Sequence, residues 1–278
     1  MLKSHFPYRD NLQYISSKIS MKTGSKDKLF KNMLDNPVAC AYRVSEFAME
    51  LFGLRRLGSS FDNDELESYL RLAKNMLVAH FQFAIDEGEN VKFDLDGVTH
   101  TATGVNKGYA LSISHWLSAY SLCLIFRDSK SLNKLCEFGH AQYVKSELKW
   151  TNFDISILEM FKGLLDERTD LKELVLTVMK ESDPEGIPHE EHDYVYSILL
   201  PLANVYTLIF SKDQKKKYTN SFVDAVKSHK KYWLTDEHDV WGHHSMFLTA
   251  AACLAYDRKG YTLPVKTEYI PEWLVENT

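Results

Sequence analysis

His189-Glu190-Glu191-His192-Asp193 places two imidazoles and three carboxylates in five residues, and His238, His243 and His244 follow downstream. Such ligands could hold a divalent metal for hydrolytic chemistry. The zincin pattern needs histidines four apart, so that both leave one helical face with a glutamate beside the first. Here the spacing is three, and Pro188 sets the segment at a loop or helix start. Glu190 or Asp193 acting as an N-terminal cap is the simpler account. A metal-dependent hydrolase using His189, His192, His238, His243 and His244 is therefore the alternative, and no metal ligand is assigned. Nucleophilic chemistry is weaker still. Ser245 follows two histidines, but adjacent side chains on a helix do not face each other, and the chain has no Gly-x-Ser-x-Gly elbow, P-loop or Gly-x-Gly-x-x-Gly. The missing motifs count against an enzyme, although a triad assembled across the fold leaves no mark in one sequence.

Charge is patterned. Asp166, Glu167, Asp170, Glu173, Glu181, Asp183, Glu185, Glu190, Glu191 and Asp193 form an acidic stretch, followed by Lys212, Lys215, Lys216, Lys217, Lys227, Lys230 and Lys231. Most such runs are solvated helix faces. The functional reading is a polarised surface that steers an oppositely charged protein partner. An acidic ridge would suit the basic cleft of a nucleic-acid-cleaving enzyme, which makes Asp183, Glu185, Glu190, Glu191 and Asp193 the candidate contacts. Exposed Tyr or Trp would anchor such an interface, because they bury large area with few rotors frozen.

The elements that must position these residues are mainly helical. The 278 residues are 45% hydrophobic and 26% charged with a net charge of −5, which suits a soluble globular protein and argues against a general nucleic-acid binder. Cys40, Cys123, Cys136 and Cys253 lie far apart in apolar stretches, so they read as reduced core cysteines of a cytoplasmic protein. The N-terminus carries Lys3, His5, Arg9 and Asp10, which leaves no signal-peptide core. The uncharged run from Tyr194 to Ser211 is interrupted by Pro201 and reads as a buried core helix, kinked there, rather than a membrane span.

Asn36-Pro37 starts a helix with Val38, Ala41, Tyr42, Ser45, Ala48 and Met49 on one face, bracketed at its end by Gly53 and Gly58. Asp62 to Glu65 reads as a capping box, opening a helix with Leu66, Leu70, Ala73, Leu77 and Phe81 inward. The period then falls to two across Val91–Thr103, and Asp96-Gly97 between alternating β-formers predicts a hairpin that must lie on the helices. Further helices are expected at 109–126, from 128 or 129 through 138, and at 154–166, 169–181, 194–210, 214–232 and 241–258, with an extended arm at 262–270. The fold class is thus mainly α, a single helical-bundle-like domain with one small β-hairpin insert near 91–103, or two lobes meeting at Ser182–Pro188.

Three segments in order carry a family resemblance. They are Trp116-Leu-Ser-Ala-Tyr-Ser-Leu-Cys-Leu-Ile-Phe-Arg127-Asp128, then Phe222 through His229 to Tyr232-Trp233, then Leu248 to Arg258 with the tail Tyr269-Ile-Pro271-Glu-Trp-Leu274. In this order they resemble the immunity protein 49 family of bacterial polymorphic toxin systems, from about Asn36 to the C-terminus. The resemblance implies an N-terminal helical segment at 1–35 before an immunity-type helical domain at 36–278. It implies a cytoplasmic protein that binds and neutralises a cognate toxin, with no catalysis, cofactor, nucleic-acid or membrane partner. Arg127, Asp128, His229, Trp233, Tyr269 and Pro271 match the family pattern and read as structural, with Arg127 and Asp128 as an ion pair at a helix end. A helical scaffold binding a peptide in a groove is a further alternative.

Overall fold

The structure, a computed structural model, describes residues 2–5, 12–57, 62–106, 110–165, 171–236 and 239–276. The chain forms two compact units, one of residues 6–148 and one of residues 149–278 with 1–5. The division falls between Leu148 and Lys149, not in Ser182–Pro188.

In the first unit, α1 (Leu12–Gly24) and α2 (Lys26–Asp35) pack on α3 (Pro37–Leu57), which pairs with α4 (Asn63–Ile85). Pro37 opens α3 as its spacing predicts, its missing N–H costing nothing in the first turn. The helix buries more than one stripe, including Val44, Phe47, Leu51, Phe52 and Leu54, because α1, α2 and α4 all cover it. Gly53 therefore lies buried inside the helix rather than at its end, and Gly58 falls outside the described residues. Asp62 caps α4 by accepting from the Asp64 amide at 3.0 Å. Glu65 does not complete a capping box in the expected way, since its carboxylate binds Arg55 Nε at 3.0 Å and the Tyr69 hydroxyl at 3.0 Å.

The predicted hairpin is present as antiparallel β1 (Asn90–Leu95) and β2 (Val98–Thr103), with Leu95 opposite Val98. Asp96 and Gly97 both take positive φ, 55° and 84°, as the tight turn requires, and only the glycine adopts this without steric cost. Val91, Phe93 and Leu95 point inward, and the Phe93 ring meets Phe83 of α4 edge-on at 5.7 Å. That packing gives a marginal two-stranded sheet its apolar support. α5 (Ile113–Ile125) is apolar nearly all round and buried accordingly, with Trp116 and Tyr120 fully enclosed. Each such side chain contributes roughly 2–3 kcal/mol on burial. Short helices α6 (Ser129–Leu135) and α7 (His140–Tyr143) complete the unit.

The second unit runs through α8 (Asn152–Leu165), α9 (Leu171–Glu181), two 3₁₀ turns at Pro184–Gly186 and His189–Glu191, and α10 (His192–Tyr194). A π-helical turn at Val195–Leu199 leads into α11 (Leu200–Phe210), followed by α12 (Lys215–Trp233), α13 (Met246–Lys259) and α14 (Glu272–Val275). The π turn lies just before Pro201, where the chain must accommodate a ring and a missing N–H. The helical stretch His189–Phe210 is long and apolar enough to cross a membrane by length and composition. Its inward face, Val195, Ile198, Leu202, Val205 and Ile209, is buried, and α11 packs on α8, α12 and α13. It sits as a helix of the core. α13 begins at Met246 rather than Trp241, because Val240–His243 form a 3₁₀ turn and Ser245 is the cap, its hydroxyl accepting from the Leu248 amide.

Candidate functional site

The acidic stretch splits into a described and an undescribed part. Asp166, Glu167 and Asp170 lie outside the described residues. Asp183, Glu185, Glu190, Glu191 and Asp193 are all exposed, on the two 3₁₀ turns and the start of α10. The local fold follows from the sequence. Asp183 caps the first turn by accepting from the Glu185 amide at 3.0 Å, and Pro184 provides the fixed φ of its first position. Glu190 and Asp193 are not the caps: Pro188 and Glu191 hold those positions, without a side-chain bond. His192 Nε2 lies 3.1 Å from the Pro184 carbonyl and 3.0 Å from that of Ile187, so the imidazole ties the two turns together.

These carboxylates crowd one another. Burial first, then Asp154, then Glu190 raise the Glu191 carboxyl above the ordinary glutamate value. Asp154 is also raised by burial, against hydrogen bonds from the Thr151 amide at 2.9 Å and hydroxyl at 2.8 Å. Asp193 helps raise the Tyr232 phenol, after burial. Among the described residues, none of the five exposed carboxylates makes an ion pair.

Beside them stand residues that the sequence reading did not single out. Leu176 and Met179 of α9 are 53% and 65% exposed, and Tyr196 is 37% exposed. The Tyr196 hydroxyl donates to the Ser182 carbonyl at 2.7 Å, and the Ser182 hydroxyl to that of Met179 at 2.8 Å. Met179, Tyr196 and Asp183 are thereby joined around one residue. The available signal was surplus: Leu171, Leu174, Val175, Leu176, Val178 and Met179 are more apolar residues than one helix face holds.

The family-pattern residues fall in two places, one in each unit. Arg127 takes φ 52°, in the left-handed region, directly after α5. Its amide donates to the Leu124 carbonyl at 3.1 Å and the Asp128 amide to that of Cys123 at 2.9 Å, the paired bonds of a Schellman helix end. The Arg127 guanidinium donates to the Ile125 carbonyl at 2.7 Å. The cation on Asp128 is Lys74 of α4, at 2.5 Å, where the sequence suggested Arg127. Asp128 also caps α6, accepting from the Ser131 amide at 3.0 Å and hydroxyl at 2.8 Å. Burial would raise this carboxyl, yet Lys74 and Ser131 together hold it below the ordinary aspartate value.

In the other unit, His229, Trp233 and Tyr269 come together. The buried His229 ring meets Tyr269 edge-on at 5.3 Å and lies 6.3 Å from Trp233. His229 Nε2 is 3.1 Å from the Gly242 carbonyl, and a carbonyl only accepts, so Nε2 carries the proton. Burial pulls this imidazole down to about 4, against the Gly242 bond and with a further lowering from His5. Gly242 is required by close approach: a Cβ there would meet the Trp233 ring and Cβ at 2.7 Å. The tail is hydrogen-bonded to α13 and its cap. The Ser245 amide donates to the Tyr269 carbonyl at 2.8 Å, Pro271 precedes α14, and Cys253 donates to the Leu274 carbonyl at 3.4 Å. Residues 2–5 join this assembly, with Leu2 paired to Thr267 and His5 Nδ1 2.8 Å from the Tyr269 hydroxyl.

The histidines do not converge on a metal. The His189 and His192 rings lie 5.2 Å apart, tilted by 45°, on the acidic turns, His243 shares a hydrogen bond with Ser4 at 3.2 Å, and His238 lies outside the described residues. Among the described residues, no group of three or more His, Cys, Asp or Glu could hold a metal ion. In the basic run Lys212 precedes α12, Lys215, Lys216, Lys217, Lys227 and Lys231 are exposed on it, and Lys230 is half-buried; Lys227 pairs with Asp224 at 3.2 Å and Lys230 donates to the Lys3 carbonyl at 3.3 Å.

Residues 62–274 match the immunity protein 49 family. No curated protein and no solved structure matches the chain. The matched span begins at the Asp62 cap of α4, contains the Arg127–Asp128 junction and the His229–Trp233–Tyr269 cluster, and ends on α14. The chain therefore belongs to the immunity protein 49 family, with an immunity role in toxin systems.

Proposed function

We propose that this chain protects its own cell by binding a cognate toxin directly and neutralising it, in the cytoplasm and without catalysis. Family membership supports the immunity role. The observation that supports direct binding is the acidic segment: five exposed carboxylates stand within eleven residues with no cation of the described chain paired to them. Crowded like charges are unfavourable in the free protein and become favourable against a basic surface. The fitting partner is a toxin with a basic face, such as the cleft of a nucleic-acid-cleaving enzyme.

The test is to express the toxin gene encoded beside this chain with and without it, and to measure survival and co-purification. Rescue with a stable complex is expected, and association should slow as salt is added. Toxicity unchanged by an excess of this protein would overturn the reading.

A further inference from the structure

The acidic segment is one edge of a larger feature. α9 is amphipathic, yet Val178 is its only buried residue, and α8 is the helix it packs on. Leu176 and Met179, three apart, stand one above the other on its outer face, each more than half exposed. Through Ser182 that face runs into Tyr196, whose ring packs against His192 at 5.9 Å. Methionine and tyrosine are enriched in the buried centres of protein interfaces, whereas charged residues lie at the rim. An exposed apolar group bordered by unpaired carboxylates has that arrangement.

We infer that Leu176, Met179 and Tyr196 form the apolar centre of the toxin-docking surface, with Asp183, Glu185 and Glu190 as its acidic rim. The occupant is a toxin domain that offers an apolar socket ringed by Lys or Arg. The commitment to this occupant rests on charge: among the described residues no cation pairs with the rim carboxylates, and Glu190 adds to the repulsion that raises Glu191. This inference rests on the direct-binding reading above and assigns the two parts different tasks. The apolar centre sets how long the complex lasts, and the rim sets how fast it forms.

The experiment uses the full chain and the toxin domain encoded beside it. Association and dissociation rates are measured over a series of salt concentrations for the wild type, for Leu176→Gln with Met179→Gln, and for Asp183→Asn with Glu185→Gln and Glu190→Gln. The α9 pair should weaken binding about 30-fold or more, through faster dissociation and with the salt slope unchanged. The rim triple should slow association and flatten the slope. Because the α9 pair could alter folding, amide exchange of the wild-type complex gives a second reading, and residues 171–181 should gain protection on binding.

Wild-type binding with an unaffected α9 pair and unprotected 171–181 amides would overturn the assignment and leave direct binding intact. Protection of those amides by self-association, without toxin, would give the face to a second copy of this chain and also overturn it. No wild-type binding would remove the direct-binding reading itself.

Discussion

Residues 6–148 hold acids against bases of their own. Lys74 lies on Asp128, Lys134 on Asp86 and Glu137, Arg55 on Glu65, Arg71 on Glu67, Lys145 on Glu87, and Lys22 on Glu50. Residues 183–193 hold five acids and none of these pairs. The first arrangement fixes helices to one another, as Lys74 of α4 does at the cap of α6. In the second, Asp183 caps its own turn, while Glu190 and Asp154 repel Glu191. In a family whose role is immunity, the first arrangement supports the body of the protein and the second fits the docking role proposed above.

Removing Asp128 attacks the first arrangement. Asp128→Ala takes away the α6 cap and leaves Lys74, whose side chain is only 12% exposed, without this carboxylate. Together these should cost about 3 kcal/mol, measured by urea unfolding. Toxin binding by the fraction still folded should be unchanged. A variant of wild-type stability would show that the junction is not held by its charges.

Acid tests the second unit through His229. Unfolded, a histidine protonates near pH 6.5, whereas the folded group does so at about 4. As pH falls below about 6.5 the unfolded chain takes up this proton first, so stability falls with pH until about pH 4. The loss there should approach about 3 kcal/mol. Unfolding midpoints between pH 7 and 4 should show it, and His229→Gln should flatten that slope by one proton.

The acidic segment should respond in the opposite sense. Glu190→Gln, Glu191→Gln and Asp193→Asn together remove repulsion, and the midpoint of unfolding should hold or rise, within about 0.5 kcal/mol. Affinity for the toxin should fall about tenfold, most of it at low salt. If the triple instead destabilised the free protein, the acids would belong to the fold and the contrast between the two regions would collapse.

What could be seen in the chain beforehand divides along the same line. Helix periodicity, the Asp96-Gly97 turn and Pro37 are local signals, and each gives its element. The segments 116–128, 222–233 and 248–274 give the family. The acidic run could be seen as composition, but not its exposure or its lack of partners, since pairing is a property of the folded surface. Lys74 lies 54 residues from Asp128, so no spacing rule connects them. Leu176 and Met179 were missed because apolar residues on a helix read as core, and only the neighbours of α9 decide which of its faces is covered.

Arg127 gives the smallest and most particular test. Most helices that end this way use glycine after the last turn, because a side chain in the left-handed region costs roughly 1 kcal/mol. Arg127 takes φ 52° and returns a 2.7 Å hydrogen bond to the Ile125 carbonyl at the same helix end. Arg127→Gly gives up the bond and relieves the backbone, so it should be more stable than a variant that keeps a Cβ there. Arg127→Ala keeps the strain and loses the bond, and should be less stable by about 1 kcal/mol. Thermal unfolding of the two variants side by side measures the difference. If alanine matched glycine, the left-handed backbone after α5 would carry no strain.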